Sequence, residues 1–287
     1  MWTLTRCVRF NLLPPVQGPE TERNPITTAR SGFSGVGSVE SFPAHVQFDV
    51  TCRGQLDPTT SYVRDIKQID KATVAAFFTR LLNDAGRPAG ARTPLHVLLG
   101  EGADRLNRLL DGCVASVRWR LTPYHCLEMA PAAKPDTPST RGAPPARAAI
   151  LRQKFDFSAS HRLHNPSLSD DENRARFGKC NNAAGHGHNY VVEPAVEVSL
   201  AGNAAFTHAD LEQVCSATII ERFDHKHLNV DTPEFRDGSG VLPTVENIAR
   251  VFYDLLAPRV AERGGAARLL SVTVWETDRT SSTYPAE

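Results

Sequence analysis

Residues 178–190 read GKCNNAAGHGHNY. A thiol, Cys180, is followed by imidazoles at His186 and His188, set among glycines and asparagines. The tract runs into YVVEPAVEVSL (190–200), which reads as a strand, with Pro194 marking an edge position or a bulge. If Asn189 and Tyr190 open that strand, residues two apart share a face, so His186 and His188 point the same way. Two imidazoles so placed can hold one metal ion once a third ligand joins them. His161 follows the strand ILRQKFDFSAS (150–160) in the stretch FSASHRL. Antiparallel neighbours lie about 4.8 Å apart, within reach of the other two histidines. Three neutral imidazoles with an open fourth position describe a catalytic zinc site. The plainer alternative is a set of hydrogen-bonded surface histidines, because H-x-H by itself is common. Glycine on both sides of His186 and the nearby thiol favour the metal.

Three roles are open to Cys180: a fourth ligand closing a structural site, a base or nucleophile favoured by a nearby metal, or an inert buried thiol. Its polar neighbours argue against the last, and the first two stay open. In ERFDHKHLNVDTPEF (221–235), Asp224 precedes His225, a pairing that orients an imidazole and makes it more basic. His227 competes for that role, its alternative being a solvated loop histidine. Glu276 ends an apolar strand in VTVWETD. It is either a rim charge or an acceptor for paired N–H donors, such as the amide-and-amine edge of a guanine-like ring. Thr244 reads as a helix N-cap, and Glu246 as a first-turn charge.

The surrounding chain has 287 residues, 41% apolar and 22% charged, with zero formal net charge. Such a balance is that of an ordinary globular protein. No basic excess points to nucleic acid, and no apolar run reaches membrane-spanning length. The opening MWTLTRCVRF lacks the pattern of a secretory signal, and six scattered cysteines suit reduced thiols. A cytoplasmic protein is expected.

A Pro- and Ala-rich tract at 130–149 reads as a linker between an N-terminal domain (1–129) and a C-terminal one (150–287). In the C-terminal part, helical periods at 208–223 and 244–263 and a strand at 268–277 follow the two strands above. Room remains for one further short strand. Two helices on one face of an antiparallel sheet make an α+β layer domain. The N-terminal part repeats the order: strands WTLTRCVRFNL and HVQFDVTCRG, helices DIKQIDKATVAAFFTRLL and TPLHVLLGEGADRLNRLL, strand CVASVRWRL. A tandem repeat of one fold is expected.

FSASHRL, GKCNNAAGHGHNY, FDHKHLN, PTVENIA and VWET, in this order, resemble the 6-pyruvoyl-tetrahydropterin synthase family, which includes 6-carboxytetrahydropterin synthases. The resemblance spans residues 150–280. It implies the tunnelling fold, here as two tandem domains, each a four-stranded antiparallel sheet with two helices on one face. It implies Zn2+ on His161, His186 and His188, and Cys180 as the proton-abstracting base with Asp224 and His225 as its acid/base partners. Glu276 would anchor the pterin ring, supported near Thr244 and Glu246. The implied substrate is the small molecule 7,8-dihydroneopterin triphosphate, converted to 6-pyruvoyl-tetrahydropterin with release of triphosphate. The spacing of Cys180 and His186 resembles pyruvoyl-forming members. A carboxy-forming synthase on the same substrate, and a zinc-stabilised pterin-binding module without turnover, are the alternatives.

The N-terminal half departs from the pattern. Pro14 falls where His161 stands, and Leu121 falls where Glu276 does. His45 is placed differently, and no Asp-His pair follows the first helix. A repeat that kept the fold and lost the chemistry is expected. Three tandem chains would then imitate a hexamer as a homo-oligomer.

Overall fold

A computed structural model describes residues 1–12, 44–132, 147–200, 206–264 and 266–286. The chain divides into two compact units, Met1–Ala149 and Ile150–Glu287. Pro14 and most of the 130–149 tract lie outside the described residues.

In the first unit, β1 (Trp2–Leu12) and β2 (Ala44–Gly54) pair antiparallel along their whole lengths, from Trp2 opposite Gly54 to Leu12 opposite Ala44. β2 pairs next with β3 (Val114–Arg120), and β3 with β4 (His125–Met129), again antiparallel. Period-2 alternation decides what each face buries. Val8, Phe10, Val46, Phe48, Val50 and Val117 are buried on one face. There Phe48 stacks on Phe77, with ring centroids 4.2 Å apart. Phe77 belongs to α1 (Ile66–Ala85), which Asp65 caps by accepting from the Lys67 N–H at 2.9 Å. The second helix, α2 (Leu95–Leu109), brings Gly102 against the Phe77 ring. The other face is polar. Arg120 pairs with Asp49 at 2.7 Å and Arg118 with Glu128 at 2.8 Å.

The second unit follows the expected order with additions. The first expected strand is interrupted at Lys154 into β5 (Ala148–Gln153) and β6 (Phe155–His161). A short helix, α3 (Asp170–Phe177), comes next. Ser169 and Glu172 close a reciprocal capping box at its start. A 3₁₀ turn over Gly178–Asn181 leads to β7 (His186–Ser199). The strand begins at His186, four residues before the sequence suggested. β7 is central, with β5 and β6 on one side and β9 (Arg268–Thr277) on the other. An edge position for Pro194 is therefore wrong. The alternative holds: the β7–β9 register slips between Ala195 and Val196, next to the proline. β10 (Thr280–Tyr284) pairs with β9 and is the anticipated further strand.

The helix expected over 208–223 is α4 (His208–Cys215), a π-helical turn over Ser216–Ile220, and α5 (Glu221–Phe223). β8 (Lys226–His227) then runs parallel to β6, Ser160 opposite His227. After α6 (Leu228–Asp231), α7 (Val245–Glu262) starts at the expected N-cap. Thr244 Oγ1 accepts from the Asn247 N–H at 3.3 Å. The core lies between sheet and helices. Phe157 stacks on Tyr190 with centroids 5.0 Å apart, and Phe252 of α7 meets Phe157 at 5.6 Å and Phe223 at 4.9 Å. Burying each such ring stabilises the fold by roughly 1.5–3 kcal/mol. Among the described residues, no disulfide joins any of the six cysteines. Among the described residues, no helix is long and apolar enough to cross a membrane.

Candidate active site

The β6–β7 ladder sets His161 opposite His186 and Ala159 opposite His188. Strand alternation then puts all three imidazoles on the face that carries the core. His161 Nε2 lies 3.1 Å from His186 Nε2, and the candidate ligand atoms of the three residues all fall within 4.8 Å of one another. The His161 ring is fully buried, and its Nδ1 stands 2.7 Å from the Pro243 carbonyl oxygen. A carbonyl only accepts, so Nδ1 carries the proton and Nε2 turns a lone pair toward the cluster.

Burial pushes the His161 imidazole down to a pKa of about 4. The neighbouring imidazoles add to that, and the Pro243 carbonyl opposes it. Burial followed by His188 likewise lowers His186. His188 Nε2 is buried without a hydrogen-bond partner among the described residues. Two imidazoles lowered by burial, an unpartnered Nε2 on the third, and a backbone acceptor fixing a tautomer together fit the ligand sphere of zinc.

Glu276 reaches the same point from β9. Its Oε1 is 3.4 Å from His161 Nε2 and 3.5 Å from His188 Nε2. The carboxylate thus borders the histidines directly, where the sequence placed it only at a strand end.

Cys180 is half-buried in the 3₁₀ turn, and its carbonyl accepts from the Leu163 N–H at 2.8 Å. Arg162 Nε donates to the Asn181 carbonyl at 3.2 Å, which pins the turn to the chain just past His161. The turn closes at Gly185, with φ +72°. A Cβ there would stand 2.7 Å from His227 Nε2 and 3.0 Å from the His161 carbonyl oxygen. Only glycine permits that approach.

Asp224 and His225 sit along the edge of β6 away from β7, just ahead of β8. Asp224 Oδ1 accepts from the Ser158 N–H at 2.8 Å, and the His225 N–H donates to the Ser158 carbonyl at 2.6 Å. His225 Nδ1 is 2.9 Å from Asp224 Oδ2. The Ser158 N–H, then the His225 ring, hold the Asp224 carboxyl below its ordinary pKa. His225 has φ +57°, and its side chain is 82% exposed. Cys180 is anchored at Leu163, five residues along the chain from Ser158, and among the described residues no hydrogen bond joins it to the Asp224–His225 pair. His227, the competitor, is half-buried beside Gly185, and among the described residues no hydrogen bond joins it to the Asp224 carboxylate. Thr244 caps α7 next to Pro243, and Glu246 is exposed on the first turn. No contact brings Glu246 to the histidines among the described residues. Sequence reasoning missed the Pro243 carbonyl, Gly185 as the close-approach glycine, and Tyr190. The last was readable, since it lies two residues beyond His188 and so on its face.

The sequence model of the family described as 6-pyruvoyl tetrahydropterin synthase matches residues 150–287. Human 6-pyruvoyl tetrahydrobiopterin synthase is 40% identical over 151 residues, covering 52% of this chain and 99% of the human protein. The chain belongs to this family. Its named members are lyases. Within it, the Aquifex aeolicus 6-carboxy-5,6,7,8-tetrahydropterin synthase is 29% identical over 163 residues, covering 48% of this chain and 98% of its own. A solved structure of the Caenorhabditis elegans 6-pyruvoyl tetrahydropterin synthase aligns with 32% identity and a TM-score of 0.44, covering 50% of this chain and 98% of that one.

Proposed function

We propose that the second unit is a zinc-dependent pterin synthase that converts 7,8-dihydroneopterin triphosphate to 6-pyruvoyl-tetrahydropterin and releases triphosphate. The observation that carries this is the convergence of three imidazoles within 4.8 Å, bordered by Glu276 and approached by the Cys180 turn. Bound by His161, His186 and His188, zinc supplies Lewis acidity toward the side-chain hydroxyls of the substrate. Cys180, as thiolate, takes a side-chain proton. His225, oriented by Asp224, moves protons as the side chain tautomerises. Each such acid–base step is worth roughly 10²–10⁴-fold. Glu276 accepts the paired N–H groups of the pterin ring and sets its orientation, with Thr244 and Glu246 at the rim.

The five-residue gap between Cys180 and His186, and the 40% identity to the human protein against 29% to the Aquifex one, support the pyruvoyl product over the carboxy product. Incubation with dihydroneopterin triphosphate, with mass analysis of products and elemental analysis for zinc, tests the assignment. Release of acetaldehyde would establish the carboxy reaction instead. Zinc and pterin binding without turnover would leave a binding module.

The first unit is a degenerate tunnelling-fold repeat in this reading. In support, its described residues hold no trio of metal-ligating side chains, and His45 Nδ1 is engaged with Asn11 Oδ1 at 3.1 Å. The exposed His225 and the distant anchor of Cys180 favour a homo-oligomer, three tandem chains imitating a hexamer, in which His225 of one copy serves Cys180 of another. Sedimentation showing a monomer would refute that assembly.

A further inference from the structure

Tyr190 is completely buried, and its hydroxyl has no hydrogen-bond partner among the described residues. An orphaned buried hydroxyl costs folding stability, whereas phenylalanine would fill the same space without that cost. Phe157, opposite Tyr190 on β6, does so, stacked on it with rings inclined by 12°. A tyrosine that stability disfavours calls for a functional reason. Its surroundings supply one. On β7 it shares a face with His186 and His188, and its ring lies 5.5 Å from that of His188 and 6.2 Å from that of His161. The β7–β9 ladder pairs Val191 with Trp275, and one step further along the same register brings Tyr190 opposite Glu276. Directly opposed residues on adjacent antiparallel strands have Cβ atoms about 4.5–5.5 Å apart. A tyrosine hydroxyl carries one O–H donor.

We propose that the Tyr190 hydroxyl is a positioning group that donates to the Glu276 carboxylate when the site is loaded, aiming that carboxylate at the pterin ring. The proposal rests on the pterin synthase reading above. Glu276 Oε1 leans between His161 Nε2 and His188 Nε2. To accept the paired N–H groups of a pterin ring the carboxylate must turn from those nitrogens, and Tyr190 is the buried donor on the strand across from it. The hydroxyl thus acts through Glu276 and need not touch substrate.

The experiment compares wild type, Tyr190→Phe, Glu276→Gln and the double variant. Neopterin, which lacks the triphosphate leaving group, is the binding probe. Tyr190→Phe is expected to bind the same amount of zinc and to melt no lower than wild type, yet to bind neopterin about tenfold or more weakly, the scale of a lost hydrogen bond to a charged group. With dihydroneopterin triphosphate its KM rises more than its kcat falls. In the Glu276→Gln background the same substitution adds little. The proposal is overturned by a wild-type neopterin affinity in Tyr190→Phe, by an equal loss in both backgrounds, or by a lower melting temperature that reveals a structural bond. If wild type itself binds no neopterin, the pterin reading falls first and this one with it.

Discussion

Gly185 and Gly187 flank His186, yet the geometry predicts opposite fates for alanine at the two positions. At Gly185 the backbone lies at φ +72°, a conformation that costs an L-residue about 1–2 kcal/mol. The added Cβ would also stand 3.0 Å from the His161 carbonyl oxygen, which is strand backbone and cannot swing away, and 2.7 Å from the more yielding His227 Nε2. Overpacking of this kind costs about 1–3 kcal/mol. Gly185→Ala should therefore destabilise the second unit by about 2–5 kcal/mol. At Gly187 the nearest atom to a new Cβ is the Ala159 carbonyl oxygen at 3.6 Å, an ordinary contact. Because alanine also lowers the entropy of the unfolded chain, Gly187→Ala should fall within about 1 kcal/mol of wild type. Urea unfolding of the full chain with Trp2 and Trp119 replaced by phenylalanine, so that fluorescence reports Trp275, measures both. Zinc titration adds a second readout, since moving the His161 backbone moves one of the three proposed ligands: affinity should drop at least about tenfold for Gly185→Ala only. Equal midpoints for the two variants, or Gly187→Ala as the weaker protein, would refute the argument.

Cys180→Ala should keep zinc and lose turnover; loss of zinc would make Cys180 a fourth ligand instead. Gly102→Ala in α2 should destabilise the first unit by about 1–3 kcal/mol despite alanine's better helix propensity, because its Cβ would overlap the Phe77 ring, and a thermal melt reads this directly. Asp224→Asn tests a linkage. The folded-state pKa of Asp224 is depressed, so its stabilisation is present above the unfolded value near 3.8 and is lost as pH falls through the folded value. The variant should thus be weaker than wild type at pH 7 and approach it in urea midpoint as pH falls through the depressed folded value. In native protein, iodoacetamide should label half-buried Cys180 well before Cys215, whose thiol is fully enclosed and shifted upward by burial.

Sequence patterning located the long elements because their periods are strong. β1 and the strand at 268–277 appear with the boundaries read from alternation, and α7 begins at the threonine chosen as its cap. What escaped was short or polar. α3, DDENRARF, has no apolar stripe, and only its Ser169–Glu172 capping pair announces it. β4 is five residues long, and β8 two. Pro194 was readable as a bulge or an edge, and only the pairing on both sides of β7 decides between them. At the site, the histidine trio was legible because a spacing of two on a strand is a statement about faces. The Pro243 carbonyl that fixes the His161 tautomer was not, since 82 residues separate them and a backbone acceptor leaves no mark in composition.

The π-helical turn at Ser216–Ile220 has a consequence for how this chain can change length. Such a turn is an ordinary helix holding one surplus residue, and each helical residue advances the side-chain direction by about 100°. Everything downstream is phased by that surplus: Phe223 faces Phe252, and Asp224 arrives at the Ser158 amide. A one-codon deletion within the turn would regularise the helix while swinging Phe223 outward and carrying the acid–imidazole couple off its strand. Its signature would be a well-folded helix by circular dichroism with a defective enzyme.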